Sequence, residues 1–266
     1  MRIKLDVSLD PTLGCGQAHR WRKEGDSWVG VLGKEVVRIE QGEGCIDVYG
    51  CESKCRMESY FRSDDDLDEI TDYIASKNPY VANLSEHCPG LRILRQPQWE
   101  CLATYLLATN ANVKRIGSMV ESVCRTFGKE IEPGKYTFPE PSNILDNSEL
   151  ITECRLGFRE SRFIELAENV ESGMIDIDAI AECDYKGAVK KLQEIKGVGP
   201  KVADCVALFA FDHLEAFPVD TRIAHVMERR FGITGNYKTV SEFGMNLFGK
   251  YAGYAQEYLY HSEFIE

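Results

Sequence analysis

No stretch of this 266-residue chain is long and apolar enough for a membrane span, and charges at Arg2, Lys4 and Asp6 break its start as no secretory leader is broken. The expected setting is therefore intracellular. Positive charge is also in deficit: 31 Lys and Arg stand against 43 Asp and Glu, a net charge of −12. Such a balance excludes a broad electrostatic grip on nucleic acid and confines any such contact to a few phosphates. Zinc-type spacing is missing too. Cys45, Cys51 and Cys55 are separated by five and three residues, which fits neither a zinc ribbon nor a zinc finger. The ten cysteines, scattered through a large chain, read as reduced thiols rather than a disulfide framework. There is no internal repeat and no low-complexity tract.

What is present is enough apolar residue, 44%, to bury a substantial core in one large domain or two closely joined ones. The first fifty residues alternate as strands do, through Ile3, Leu5 and Val7, then Trp28, Val29 and Val31, Val37 and Ile39, and Ile46 and Val48. Turn residues separate them at 24–26, 33–34 and 41–44. Beyond the acidic block Asp64–Glu69, which reads as a solvated helix start, the period becomes helical, as in Val113, Ile116, Val120, Val123 and Phe127. Residues 129–142, with three prolines, read as a surface loop. A sheet followed by helices is the α+β class. The division expected is an N-terminal antiparallel β-domain with a short helix over 1–85, and a helical core over 86–266.

The chemistry concentrates at residues 195–222. Gly197 and Gly199 form a tight hairpin whose backbone N–H groups can close on a phosphate, and Pro200 starts a helix whose positive end faces the same anion. Lys186, Lys190, Lys191, Lys196 and Lys201 gather around it and can make the footprint locally basic. On that helix Lys201, Cys205 and Phe209 fall at i, i+4 and i+8, one stripe. A helix N-terminus and burial both disfavour ammonium, so part of Lys201 is expected to be a neutral nucleophile near pH 7, unless a nearby carboxylate outweighs them. Asp220 precedes the next helical run, Ile223, Val226, Met227 and Phe231. Capping alone would explain an Asp there, but a carboxylate so placed can also stabilise positive charge on a sugar.

These residues resemble the helix-hairpin-helix, Gly/Pro-rich, Asp-containing superfamily of DNA glycosylases, with the hairpin unit at about 186–212, and within it the 8-oxoguanine DNA glycosylases. The likeness extends from about Asp6 to the C-terminus through ordered blocks: Gly16–Trp21, Leu94–Gln96, Thr109–Asn112, Leu156–Arg159, the hairpin, and Tyr251–Gln256. The resemblance implies that Lys201 attacks the sugar as a Schiff-base nucleophile, assisted by Asp220, after the damaged nucleotide is flipped out of double-stranded DNA. It assigns the flipped base to the Gly16 carbonyl, Cys205, Phe209, Gln256 and Tyr260. Asn110 would fill the gap, Arg115 and Arg159 would read the orphaned cytosine, and Phe158 would wedge beside it; Gly197, Gly199 and Arg222 would hold phosphate. No metal or other cofactor is implied, since no cysteine follows Cys205 to build the iron–sulfur cluster of some relatives. A monomer is expected.

His19, Phe209, Arg222 and Tyr260 stand where family members often carry Phe, Met, His and Phe, and Ala111 replaces a middle asparagine. His19 would make damage recognition pH-sensitive. Three other readings compete: a glycosylase of the same superfamily for another base such as an alkylated purine, a non-enzymatic DNA-binding module, and a protein-interaction domain. A module that only gripped phosphate would leave Asp220 without a task.

Overall fold

The computed structural model describes residues 1–262. Five antiparallel strands, β1 (Arg2–Lys4), β2 (Arg22–Glu24), β3 (Ser27–Leu32), β4 (Glu35–Gly42) and β5 (Cys45–Tyr49), lie in the order β1-β5-β4-β3-β2. Hairpins β2–β3, β3–β4 and β4–β5 each close on two residues, one of them a glycine in the left-handed region (Gly25, Gly33, Gly44), as such short turns demand. The register sets Trp28 opposite Ile39 and Ile39 opposite Val48. With Val37 and Ile46 these form a buried inner face that packs on Leu9, Leu13, Trp21, Phe61 and Leu94.

The N-terminal strand is shorter than its alternation suggests. Only residues 2–4 pair along β5; the chain then leaves the sheet and winds into α1 (Leu9–Gly14), whose Leu9 and Leu13 join the inner face. Helices α2 (Lys54–Tyr60), α3 (Leu67–Lys77) and α4 (Pro79–His87) follow, so the helical part begins before Asp64. The acidic block does start a helix: the Asp66 side chain accepts from the Glu69 N–H and caps α3.

The remaining helices are α5 (Gln98–Leu107), α6 (Val113–Phe127), α7 (Pro141–Leu145), α8 (Glu160–Glu171), α9 (Ile177–Ala181), α10 (Tyr185–Gln193), α11 (Pro200–Ala210), α12 (Thr221–Phe231), α13 (Tyr237–Phe248) and α14 (Ala252–Ser262). At the centre lies α11, buried from Val202 to Ala210 and packed against α5 and α10. Each large apolar side chain there contributes roughly 1.5–3 kcal/mol by leaving water. Its one buried acid, Asp204, accepts from Tyr185 (2.7 Å) and from Tyr237.

Residues 129–142 are not a bare loop. Strands β6 (Glu130–Glu132) and β7 (Lys135–Tyr136) pair around Gly134, Phe138 packs on Trp99, and the Trp99 indole donates to the Pro139 carbonyl at 2.9 Å. The prolines interrupt periodicity without preventing a hairpin.

The two halves meet along a polar seam. Gln17 donates to the Thr12 and Arg92 carbonyls and accepts from the Leu94 N–H, while Gln96 and Tyr105 both donate to the Gln17 carbonyl. Asp212, just past α11, accepts from Arg62 (2.6 Å) and Arg95 (2.9 Å). Arg62 is almost wholly buried, so Asp212 supplies the charge that makes its burial tolerable.

Candidate active site

Three elements converge on one cavity. Gly199 is the N-cap of α11 with Pro200 at its first turn, which places Lys201 at that helix's positive end. Asp220 caps α12, its Oδ1 accepting from the Ile223 N–H at 2.9 Å. Helix α14 is buried almost all round, so Gln256 and Glu257 face protein or cavity rather than solvent, and Tyr260 is half-buried at the cavity. Gly16, Lys201, Cys205, Phe209, Asp220, Gln256 and Tyr260 all line this half-open cavity, whose volume is about 120 Å³.

Gly16 has φ +92°, and a Cβ there would come within 3.2 Å of Val113. Only glycine holds that turn without strain. Tyr105 forms the floor, its ring stacked on Phe209 (centroids 5.7 Å apart, planes 16° apart) and its hydroxyl fixing the Gln17 carbonyl at 3.0 Å. Lys201 Nζ lies 5.4 Å from the same ring centroid, within cation–π range. Arg222 donates to the Tyr260 hydroxyl at 3.2 Å and lies over its ring, so it props a pocket wall as well as facing outward.

The electrostatics correct two expectations. Lys201 is held above its ordinary range, first by the Cys205 sulfur and then by Asp220 and Glu257, and burial does not overcome them. Since burial pushes the Cys205 thiol itself up to about 11, Asp220 is the standing counter-charge at neutral pH. Lys201 therefore rests as ammonium, and its neutral form arises only when a proton leaves. His19 is pushed down to about 4 by burial, with Lys201 and Arg22 adding to it. It stays neutral through physiological pH, which removes the pH sensitivity expected of it in the free protein.

None of the residues assigned to DNA lines the cavity itself, though Arg222 backs its Tyr260 wall and Asn110 lies between the lining residues Ala108 and Ala111. Asn110 occupies the left-handed region, φ 52°, in the turn after α5. Arg159 is buried and donates to the Thr109, Asn110 and Leu156 carbonyls, thereby holding that turn. Phe158 is 54% exposed beneath the Arg159 and Arg162 guanidiniums, at 4.2 and 5.5 Å from its ring centroid. Arg115 donates to the Arg155 carbonyl, and its own N–H is held by Asn112, which caps α6. At the hairpin, residues 194–199, Gly197 has φ +94°, and a Cβ would meet Arg162 at 2.8 Å and Leu106 at 3.0 Å; Gly199 has nothing within 4 Å. The five lysines do not act together. Lys196 is paired with Glu165, Lys191 donates to the Ala179 carbonyl, and Lys201 turns into the cavity.

Comparison with known proteins is decisive. The 8-oxoguanine DNA glycosylase N-terminal domain family matches residues 2–102. The structure of MBOgg1 in complex with a low-affinity DNA ligand superposes with a TM-score of 0.93 at 30% identity, covering 100% of this chain and 96% of that one. The chain belongs to the 8-oxoguanine DNA glycosylase/lyase family. An Arabidopsis thaliana relative, N-glycosylase/DNA lyase OGG1, is 28% identical over 97% of this chain and 78% of its own. The Clostridium acetobutylicum 8-oxoguanine glycosylase/lyase, solved with double-stranded DNA containing cytosine opposite 8-oxoguanine, gives a TM-score of 0.92 at 25% identity over 100% of this chain and 98% of that one. The α+β class and the sheet-then-helices architecture agree with these relatives. Glu257, Tyr105 and Cys15 complete the glycosylase cavity and escaped the sequence reading. For Glu257 a signal existed: it is the one acid in α14, amid alanine and tyrosine.

Proposed function

We propose that this member of the glycosylase/lyase family extrudes 8-oxoguanine from double-stranded DNA, preferentially opposite cytosine, excises it through a lysine Schiff base, and then cleaves the abasic strand. The observation that carries the reading is the presence of Lys201 and Asp220, each at a helix N-terminus, on the walls of one cavity that Gln256 and the Gly16 turn also line.

After Lys201 releases a proton, its amine forms a bond to C1′ as the C1′–base bond breaks; the base leaves with the bonding pair and takes up a proton. The Asp220 carboxylate stabilises the positive charge that develops on the sugar. Ring opening gives the Schiff base, loss of a C2′ proton expels the 3′ phosphate, and water frees the lysine. Neither a metal nor a nucleotide cofactor is needed for these steps. Gln256 suits the base edge, since its Oε1 is buried without a hydrogen-bond partner among the described residues. Support for the cytosine preference comes from Arg115 and Arg159 beside the Asn110 turn, and from the cytosine that stands opposite 8-oxoguanine in the DNA bound to the Clostridium enzyme. The protein works as a monomer, DNA-associated within the cell.

The test uses duplexes with 8-oxoguanine opposite each of the four bases, with and without borohydride. Fastest release opposite cytosine and a borohydride-trapped adduct are expected, and Lys201→Gln should lose both release and trapping while still binding duplex. An active, trappable Lys201→Gln protein sinks the mechanism. Removal of alkylated purines with 8-oxoguanine ignored sinks the substrate.

A further inference from the structure

Glu257 is 4% exposed, lines the cavity, and keeps Oε2 without a hydrogen-bond partner among the described residues. A buried carboxyl is ordinarily neutralised by a cation or satisfied by donors. Here the nearby Cys15 thiol, next in chain to Gly16, donates its S–H to the Thr12 carbonyl at 3.5 Å, and Asp220 stands near enough to oppose a second negative charge. An unpartnered oxygen on a neutral carboxyl in the cavity wall is an O–H donor, and what it lacks is an acceptor.

We propose that Glu257 determines specificity by donating this hydrogen bond to a carbonyl oxygen of the extruded base. The ligand class is thus an oxopurine; an alkylated adenine carries no carbonyl and would leave the donor unmet. This rests on the glycosylase reading above and deepens it. Burial, then the charge of Asp220, push Glu257 up to about 7 against the Lys201 ammonium, so the donor form dominates below neutrality.

The groups facing Glu257 are Cys15 and His19 from the Gly16 turn, Tyr105 from α5, Lys201 and Cys205 from α11, Asp220 and Arg222 from α12, and Tyr260 on its own helix. Cys15, Tyr105, Cys205 and Tyr260 are pushed up by burial and Lys201 is raised, whereas His19 is pushed down to about 4. Among these six and Glu257, Glu257 is the group that changes charge near neutrality. Ionised, it would set a carboxylate against the base oxygen.

The experiment measures the ratio of 8-oxoguanine excision to cleavage of a pre-formed abasic strand, which holds no base, between pH 6 and 9. For the unsubstituted protein the ratio should fall at least about tenfold as pH rises through neutrality. Glu257→Gln, which keeps an N–H donor, should give a ratio independent of pH, and Glu257→Leu should lower it about tenfold or more already at pH 6.5. A flat or rising ratio in the unsubstituted protein overturns the proposal, as does a Glu257→Leu protein with an undiminished ratio. If Glu257→Leu does not fold, the first two measurements decide. A protein that nicks abasic strands but never releases 8-oxoguanine overturns the underlying reading as well; a flat ratio with active excision overturns the Glu257 role alone.

Discussion

Asp220 shows how one side chain can answer to two demands. It caps α12 through the Ile223 N–H, and it lines the cavity together with Lys201. Asparagine caps a helix as well as aspartate does, so Asp220→Asn should leave the melting temperature nearly unchanged while turnover falls by orders of magnitude at similar duplex affinity. Near-normal turnover would reduce Asp220 to a cap. Glu257 makes a stability prediction of definite sign. Its carboxyl binds a proton more tightly in the folded than in the unfolded chain, with a pKa near 7 against 4.5. The native state therefore holds the extra proton between these values, and stability falls as pH rises through that window. Glu257→Gln should be increasingly stabilised relative to the unsubstituted protein from pH 5 to pH 8, by on the order of 2–3 kcal/mol at most. Thermal melts at both pH values check this. That Lys201 and Asp220 stand at helix N-termini was legible because hairpin glycines, a proline and a cap are local signals, whereas Gln256 and Tyr260 came from the family resemblance alone. The charge state of Lys201 was not legible, because it depends on Cys205 and Asp220 brought together from different elements.

At the scale of elements, the hairpin separates two uses of glycine. Gly197 needs its positive φ and has Arg162 and Leu106 close by, whereas Gly199 has ordinary φ and open space. Gly197→Ala should cost about 1–3 kcal/mol of stability from left-handed strain and crowding. Gly199→Ala should cost less than about 1 kcal/mol, as a poorer N-cap. A marked loss of duplex affinity in Gly199→Ala, at preserved melting temperature, would then report a phosphate lying against that backbone; full affinity would remove the hairpin from the DNA contact. Local chemistry made this hairpin and α11 readable in advance. Helix α1 and the β6–β7 hairpin were not, since Leu9 and Leu13 are recruited by the sheet's inner face and Phe138 by Trp99, partners remote in sequence. Helix α14 is buried on nearly every side, which only tertiary packing could say.

For the whole molecule, a net charge of −12 in a DNA glycosylase predicts a grip built from few groups. With Lys191 and Lys196 already paired at the surface with the Ala179 carbonyl and Glu165, we expect about three or four phosphate contacts at the hairpin and its neighbours, so log affinity against log salt should have a slope of roughly −3 to −4. A slope of about −8 in a fluorescence titration would show a basic surface elsewhere.

The seam between the halves has a bearing on accuracy. The turn carrying Gly16 belongs to the sheet half, yet it is secured by Tyr105 and Gln96, while Lys201, the proposed nucleophile, rides on α11. On the function proposed above, sensor and blade are thus mounted on different parts, aligned by a few hydrogen bonds and by Asp212 holding Arg62 and Arg95. Loosening the joint displaces the sensor before it dismantles the blade. Warming toward the unfolding transition should therefore make the enzyme careless before it makes it idle, with intact guanine and 8-oxoguanine becoming harder to tell apart while abasic strands are still cut.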